Sequence, residues 1–171
     1  MRTQRKSIVQ LPEALLAKHE RSFPDTFERH GLIAMFALRA LAQRANDCTN
    51  ETLAPLGLNA AKYNYLVVLY LSATPALTLN ELSEHIHTSN ATVTSMVKTL
   101  EADGFLRRAA HPTDGRSVLV RLTAKGRKIV EAAVPLHRND METGLGELSI
   151  PEREQLASLL LKLGSGFDRL T

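Results

Sequence analysis

The chain has 171 residues, of which 44% are hydrophobic and 23% charged, with a formal net charge of +3. This length and balance fit one globular domain, or one domain plus an appendage, and exclude a chain that is disordered throughout. No apolar run is long enough to span a bilayer, and no apolar signal-peptide core follows the basic N-terminus, so a cytoplasmic protein is expected. Cys48, the single cysteine, excludes an intrachain disulfide and a cysteine-rich zinc site.

Positive charge is concentrated in one segment. Residues 107–128 carry seven lysines and arginines against the single acid Asp114, which gives +6 and leaves −3 for the rest of the chain. A basic patch on a mildly acidic body is typical of a protein that binds a polyanion. A solvated basic hairpin without a partner is the alternative.

The first half of the sequence predicts helices. Residues 1–24 form a leader with a basic tail and a short helix, because Pro12 suits a first helical turn and leucines follow it. A long helix is predicted from about Asp25 to Leu53, where Pro55 and Gly57 end it. Another helix follows an Asn59 cap and is apolar nearly all round, which predicts burial on every side. Residues 73–76 are interpreted as a linker.

The second half begins with a short helix and a second helix in close succession. Thr78 and Glu81 match a capping box, and Ser89 with Asn90 provides the next turn and cap. The second helix, residues 89–103, has an apolar stripe and stops near Gly104. Residues 105–109 and 117–122 are predicted to pair as a hairpin, with turn chemistry between them. Helices capped at Thr123 and Ser149 complete the chain, the last with leucines along one side.

The helix at residues 89–103 has a polar face nearly free of acids. Such a face can approach phosphates and base edges in a major groove. At the hairpin tip, Arg116 can project into a minor groove, and Asp114 can orient it by a charge-assisted bond. The alternatives are an ordinary amphipathic helix and a surface ion pair. The polar face comprises Ser89, Asn90, Thr92, Ser95, Lys98 and Thr99.

The segment from Leu77 to Gly126 resembles the winged-helix core of the multiple-antibiotic-resistance regulators, the MarR family. Three motifs carry the resemblance: residues 79–84, residues 92–94 with 100–106, and residues 114–117 followed by Leu-Thr-Ala-Lys-Gly at 122–126. It implies a mostly α fold with a small β-wing, in which a winged helix-turn-helix core is joined to terminal helices that form a dimerisation region. It also implies a division of the chain. Residues 1–24 would be an N-terminal extension with a possible dimer contact, and residues 58–122 would be the DNA-binding domain. Residues 25–57 and 123–171 would together form the dimerisation region.

The resemblance also implies a function and its residues. It implies a homodimeric repressor, not an enzyme, that binds a pseudo-palindromic double-stranded DNA site and has no cofactor. Asp114 and Arg116 would be the wing pair. The DNA side of the recognition helix would carry Thr92, Thr94, Ser95 and Lys98. Many members have arginine where Ser95 and Thr99 stand here, so this chain lacks the arginine that would contact guanine at those positions.

Members are commonly released from DNA by a small anionic aromatic effector, bound between the dimer helices and the winged-helix lobe. The polar groups nominated for such a pocket are His30, Arg39, Tyr63 and Tyr65. Two other functions stay open from sequence: a winged-helix protein that acts through a protein partner, and a redox sensor that uses Cys48. No motif indicates a metal site.

Overall fold

The computed structural model describes residues 13–24, 28–110 and 117–170. It contains seven α-helices and three short β-strands within these ranges. In chain order they are α1 (Glu13–Ser22), α2 (Arg29–Leu53), α3 (Ala60–Leu71), β1 (Leu77–Thr78), α4 (Leu79–Ile86), α5 (Asn90–Ala102), β2 (Leu106–Ala110), β3 (Val118–Leu122), α6 (Ala124–Gly144) and α7 (Ile150–Phe167), with 3-10 turns at Ala54–Leu56 and Asp168–Leu170.

Capping residues set most helix boundaries where the sequence predicts them. Thr78 and Glu81 form the predicted capping box of α4, and Ser149 with Glu152 forms that of α7. Asn59 caps α3 and Thr123 caps α6. Each cap satisfies backbone N–H groups that the first helical turn leaves without an intrahelical partner. The long second helix begins later than predicted, at Arg29, where the Glu28 carboxylate accepts from the N–H groups of the first turn.

The strands form an antiparallel sheet in the order β1-β3-β2. β2 and β3 are the predicted hairpin, with Leu106 opposite Leu122 and Arg108 opposite Val120. The first strand was not predicted. Leu77 pairs with Val120 across the sheet, but a two-residue strand is too short to show an alternating pattern.

A single apolar core joins α3, α4, α5 and the sheet to α6. Its fully buried side chains include Leu82, Val93, Leu100 and Val120. We call the part formed by residues 58–122 the winged-helix lobe. α6 packs against both α2 and α3, and thereby connects the lobe to the long helix.

The prediction that α3 is buried is wrong along one face, where Ala61, Asn64 and Leu71 are exposed. Leu66 and Leu69 are buried, but Leu71 is 74% exposed. Leu71 is the last residue of α3 and leads into the exposed residues 73–75, and no element that the structure describes covers it. Within the described ranges, no helix is both long and apolar enough to cross a membrane.

Candidate nucleic-acid interface

The N-terminus of α5 is fixed by its cap. The Ser89 hydroxyl accepts from the backbone N–H of Thr92 at 3.2 Å, and the two hydroxyl oxygens lie 2.9 Å apart. Both residues are exposed. The first turn of α5 therefore presents hydroxyls and the positive end of the helix dipole to solvent, an arrangement suited to phosphate.

The two faces of α5 differ as the sequence predicts. Val93, Val97 and Leu100 are buried in the core. On the outward side, Ser95 and Lys98 are exposed along with Thr92. The rigid core contact thus holds a row of small polar side chains and one cation towards solvent, where DNA base edges could reach them.

Thr94 lies at the border of this face. It is half-buried, and its hydroxyl donates to the backbone carbonyl of Asn90 at 2.8 Å. The Thr99 hydroxyl likewise donates to the carbonyl of Ser95 at 3.2 Å. Of the predicted DNA-side residues, Thr94 is thus the one that the fold covers most.

The C-terminus of α5 is held by a contact that sequence reasoning missed. Lys62 Nζ on α3 lies 2.8 Å from Asp103 Oδ2, and Lys125 Nζ on α6 donates to the Asp103 carbonyl at 2.7 Å. Lys125 also lies 4.7 Å from the centre of the Phe105 ring. These contacts therefore connect the end of α5 to α3 and α6. Lys62 and Asp103 are 41 residues apart, so no local pattern could have paired them.

The strand β2 is joined to α5 by an ion pair. Arg108 Nε donates to Glu101 Oε2 at 2.7 Å, and the Arg108 backbone N–H donates to the same carboxylate. The hydrogen bond from the Arg108 side chain, followed by that from its backbone, lowers the pKa of Glu101. The pair neutralises Arg108, which leaves the free positive charge of the hairpin on its other face.

That outer face of the hairpin carries two arginines directly opposite each other. Arg107 on β2 pairs in register with Arg121 on β3. Both are exposed, and neither has an ion pair within the described residues. Like charges at opposed positions of a sheet destabilise it, so a polyanion on this face would relieve a repulsion already present in the free chain.

The predicted wing tip, Asp114 and Arg116, lies outside the described residues. The roles assigned to this pair therefore stay predictions. The described strands lead up to it from Ala110 on one side and Val118 on the other.

The four residues nominated for an effector pocket lie in unlike surroundings. The side chain of His30 is 91% exposed, and Arg39 is also exposed on α2. Tyr63 and Tyr65 are buried in α3, and burial raises the pKa of both phenols. None of the four lines the cavity of about 360 Å³ that lies between α2 and α6.

Two further observations concern candidate metal ligands and the thiol. Among the residues that the structure describes, no three His, Cys, Asp or Glu side chains form a group that could hold a metal ion. Cys48 is a free, half-buried thiol on α2.

Known proteins resemble the chain in both sequence and structure. The sequence profile of the MarR family matches residues 58–118. The transcriptional repressor YetL of Bacillus subtilis is 26% identical over 157 residues, which cover 90% of this chain and 92% of YetL. A MarR variant from Escherichia coli, solved with operator DNA, is 28% identical with a TM-score of 0.70, covering 82% of this chain and 96% of that one.

A further solved structure, BpsR of Bordetella bronchiseptica, is 30% identical with a TM-score of 0.69. The match covers 80% of this chain and 99% of BpsR, whose DNA binding is regulated by 6-hydroxynicotinic acid. These matches agree with the arrangement of α4, α5 and the hairpin described above. The chain belongs to the MarR family and is a DNA-binding transcriptional regulator with a winged-helix fold rather than an enzyme.

Proposed function

We propose that the protein acts as a homodimeric repressor, which binds a pseudo-palindromic DNA site and is released by a small aromatic, anionic effector. The observation that carries this proposal is the contrast between an exposed polar face on α5 and an apolar face on α7 that no described element covers. One copy would contact one half-site. The unpartnered face supplies the means to join two copies.

The apolar face of α7 has the spacing of a helix–helix interface. Its side chains recur every three or four residues, so they lie on one side of the helix. All are exposed in the single chain, from 37% at Leu163 to 57% at Leu159. An exposed stripe of this size on a soluble protein is typical of an interaction site. The stripe comprises Leu156, Leu159, Leu160, Leu163 and Phe167.

Dimerisation would also determine which DNA is read. Two recognition helices related by a two-fold axis reach successive major grooves about 34–36 Å apart, one turn of B-DNA. We therefore propose half-sites about one turn apart. Within each, the contacts would come from Ser89, Asn90, Thr92, Thr94, Ser95 and Lys98 on α5, and from Asp114 and Arg116 at the wing.

The charge distribution supports a large contribution from phosphate contacts to the affinity. The hairpin and the start of α6 carry the basic cluster, whereas the outward face of α5 has only Lys98 as a cation. Affinity should thus depend strongly on salt, and the base sequence would be read by small polar side chains together with DNA shape. The effector proposal is supported by the regulation of BpsR by a small aromatic acid.

Mobility-shift titrations on the promoter beside the protein's own gene test this function. We expect one shifted species at a dimer-to-site ratio of one, with affinity that falls steeply as salt rises. Arg116→Ala should weaken binding and flatten the salt dependence, because a groove cation is lost. Arg138→Ala is the control, since the exposed Arg138 pairs with Glu142 one turn along α6. Absence of binding by dimeric protein at low salt would overturn the proposal.

A further inference from the structure

Three exposed residues form the side of α5 that lies farthest from the core. Ala91, Ser95 and Lys98 follow the spacing i, i+4 and i+7, which places them on one line along the helix. All three are exposed, and the line lies on the opposite side of α5 from the buried Val93 and Val97. A molecule that covers the outward face of α5 must therefore contact this line. Ala91 is not one of the predicted DNA-side residues, because its side chain has no polar group.

The hydroxyl groups beside Ala91 are largely hydrogen-bonded within the helix. The Thr94 hydroxyl donates to the backbone carbonyl of Asn90 at 2.8 Å. The hydroxyl oxygens of Ser89 and Thr92 lie 2.9 Å apart, so one of them donates to the other. Because a hydroxyl has a single proton, these contacts leave one of the three protons for a base. The methyl group of Ala91 therefore lies among hydroxyls with little capacity to donate to DNA.

An exposed methyl group can distinguish bases in the major groove. Of the four bases, only thymine presents a methyl group there, and apolar side chains such as alanine make contact with it. This contact removes two apolar groups from water. The polar edge atoms of the other bases would instead lose water against Ala91 without gaining a hydrogen bond. The side chain also ends at Cβ, so the helix backbone can lie close to the base edge.

We propose that Ala91 is a specificity-determining residue, whose methyl group contacts the 5-methyl group of one thymine in each operator half-site. Recognition helices of this type contact base edges with their N-terminal residues, and Ala91 is the second residue of α5. This inference rests on the proposed function, because it assumes that α5 enters the major groove of an operator with two half-sites. It adds a base preference and the residue that sets it.

Uracil in place of thymine tests this contact, because the two bases differ only by the 5-methyl group. The probes are a duplex that the protein selects from a random-sequence library, and copies of it in which each thymine is replaced in turn. We expect one position per half-site where uracil weakens binding by wild type about fourfold, which corresponds to about 0.8 kcal/mol for one buried carbon. Replacement in both half-sites should weaken binding about 16-fold, because effects at distant sites add.

Two variants assign the contact to a residue. Ala91→Gly removes the methyl group, so we expect equal affinity for the thymine and uracil duplexes at that position. Ala102→Gly is the matched control, since it makes the same substitution at an exposed position at the other end of α5. It should keep the preference for thymine. The readout is a ratio of two affinities measured on one protein, so a general loss of helix stability would not change it.

Two results would overturn the proposal without touching the proposed function. A uracil effect of equal size in wild type and Ala91→Gly would show that another residue, or the shape of the DNA, reads the thymine. A scan in which no replacement changes the affinity of wild type would show that no thymine methyl group is contacted. Binding of the unmodified duplex tests the proposed function alone. Wild-type protein that selects no duplex from the library would overturn the proposed function and this inference with it.

Discussion

The winged-helix lobe and α7 have the same kind of sequence pattern and opposite burial. In α5, Val93, Val97 and Leu100 recur at helical spacing and are buried within the chain. In α7, leucines recur at the same spacing and none is buried. A periodic pattern therefore predicts which face of a helix is apolar, but it does not predict whether the partner belongs to the same chain.

This difference divides the expected sources of stability. The lobe buries its apolar surface internally, so its contribution to folding should not depend on protein concentration. The apolar surface of α7 is exposed among the described residues, and its burial by a second copy would make part of the stability rise with concentration.

The largest effect is expected from a charge on the α7 stripe. Leu163→Asp should weaken the dimer on the order of 100-fold, because a carboxylate would be buried in an apolar contact. Leu161→Asp is the matched control, since Leu161 is 75% exposed and lies off the stripe. Analytical ultracentrifugation measures both. Equal dimer dissociation constants for the two variants would show that the dimer does not form through this face of α7.

Alanine substitutions at two glycines compare how tightly the chain packs at the start of α6 and in α7. A Cβ at Gly126, in the first turn of α6, would lie 2.0 Å from the backbone oxygen of Phe105. Gly126→Ala should therefore lower the free energy of unfolding by about 3 kcal/mol, the upper part of the range for overpacking. At Gly164 in α7, nothing lies within 4 Å, so Gly164→Ala should stabilise the helix by roughly 0.5–1 kcal/mol.

Denaturant melts of both glycine variants, run at two protein concentrations, check this prediction. A Gly164→Ala variant that is destabilised only at high concentration would mean that the partner copy packs closely at this position, because the dimer contributes stability only there. A Gly126→Ala variant with wild-type stability would contradict the tight junction between the hairpin and α6.

Substitution of the opposed arginines tests whether the outer face of the hairpin contacts DNA phosphates. Arg107→Ala and Arg121→Ala should each reduce operator affinity several-fold and lower the salt slope by about 0.9, because one phosphate contact is lost. Neither should lower the melting temperature, since each removes a like-charge contact. A variant that binds operator with wild-type affinity and salt slope would show that this face does not meet phosphate.

Much of the lobe could be predicted from the sequence because its signals are local. The capping box at Thr78 and Glu81, the Ser89 cap and the alternation in β3 each depend on neighbouring residues. The charge segregation was also predictable, because the cations cluster in one segment. These signals place α5 and the hairpin, and thus most of the candidate interface.

The rest depends on contacts between distant residues. The ion pair of Lys62 with Asp103 depends on how two distant helices pack. The opposition of Arg107 and Arg121 depends on the pairing register of the two strands, which no local sequence signal sets. The same holds for the cavity between α2 and α6. His137 and Asp140 line it beside residues of α2 such as Cys48, and this proximity follows only from the packing of α6.

The smallest effect concerns the ion pair between α5 and β2. Because Arg108 lowers the pKa of Glu101 in the folded protein, this pair contributes stability above the unfolded-state pKa, about 4.5, and loses it as pH falls through the lower folded value. Both side chains are about a third exposed, so the contribution is small. Glu101→Gln should reduce the loss of stability between pH 6 and pH 3.5. In an Arg108→Met background the same substitution should change nothing further, because the partner is absent. If denaturant midpoints fall equally with and without Glu101, the pair does not join the recognition helix to the hairpin in solution, and the lobe relies on its apolar core alone.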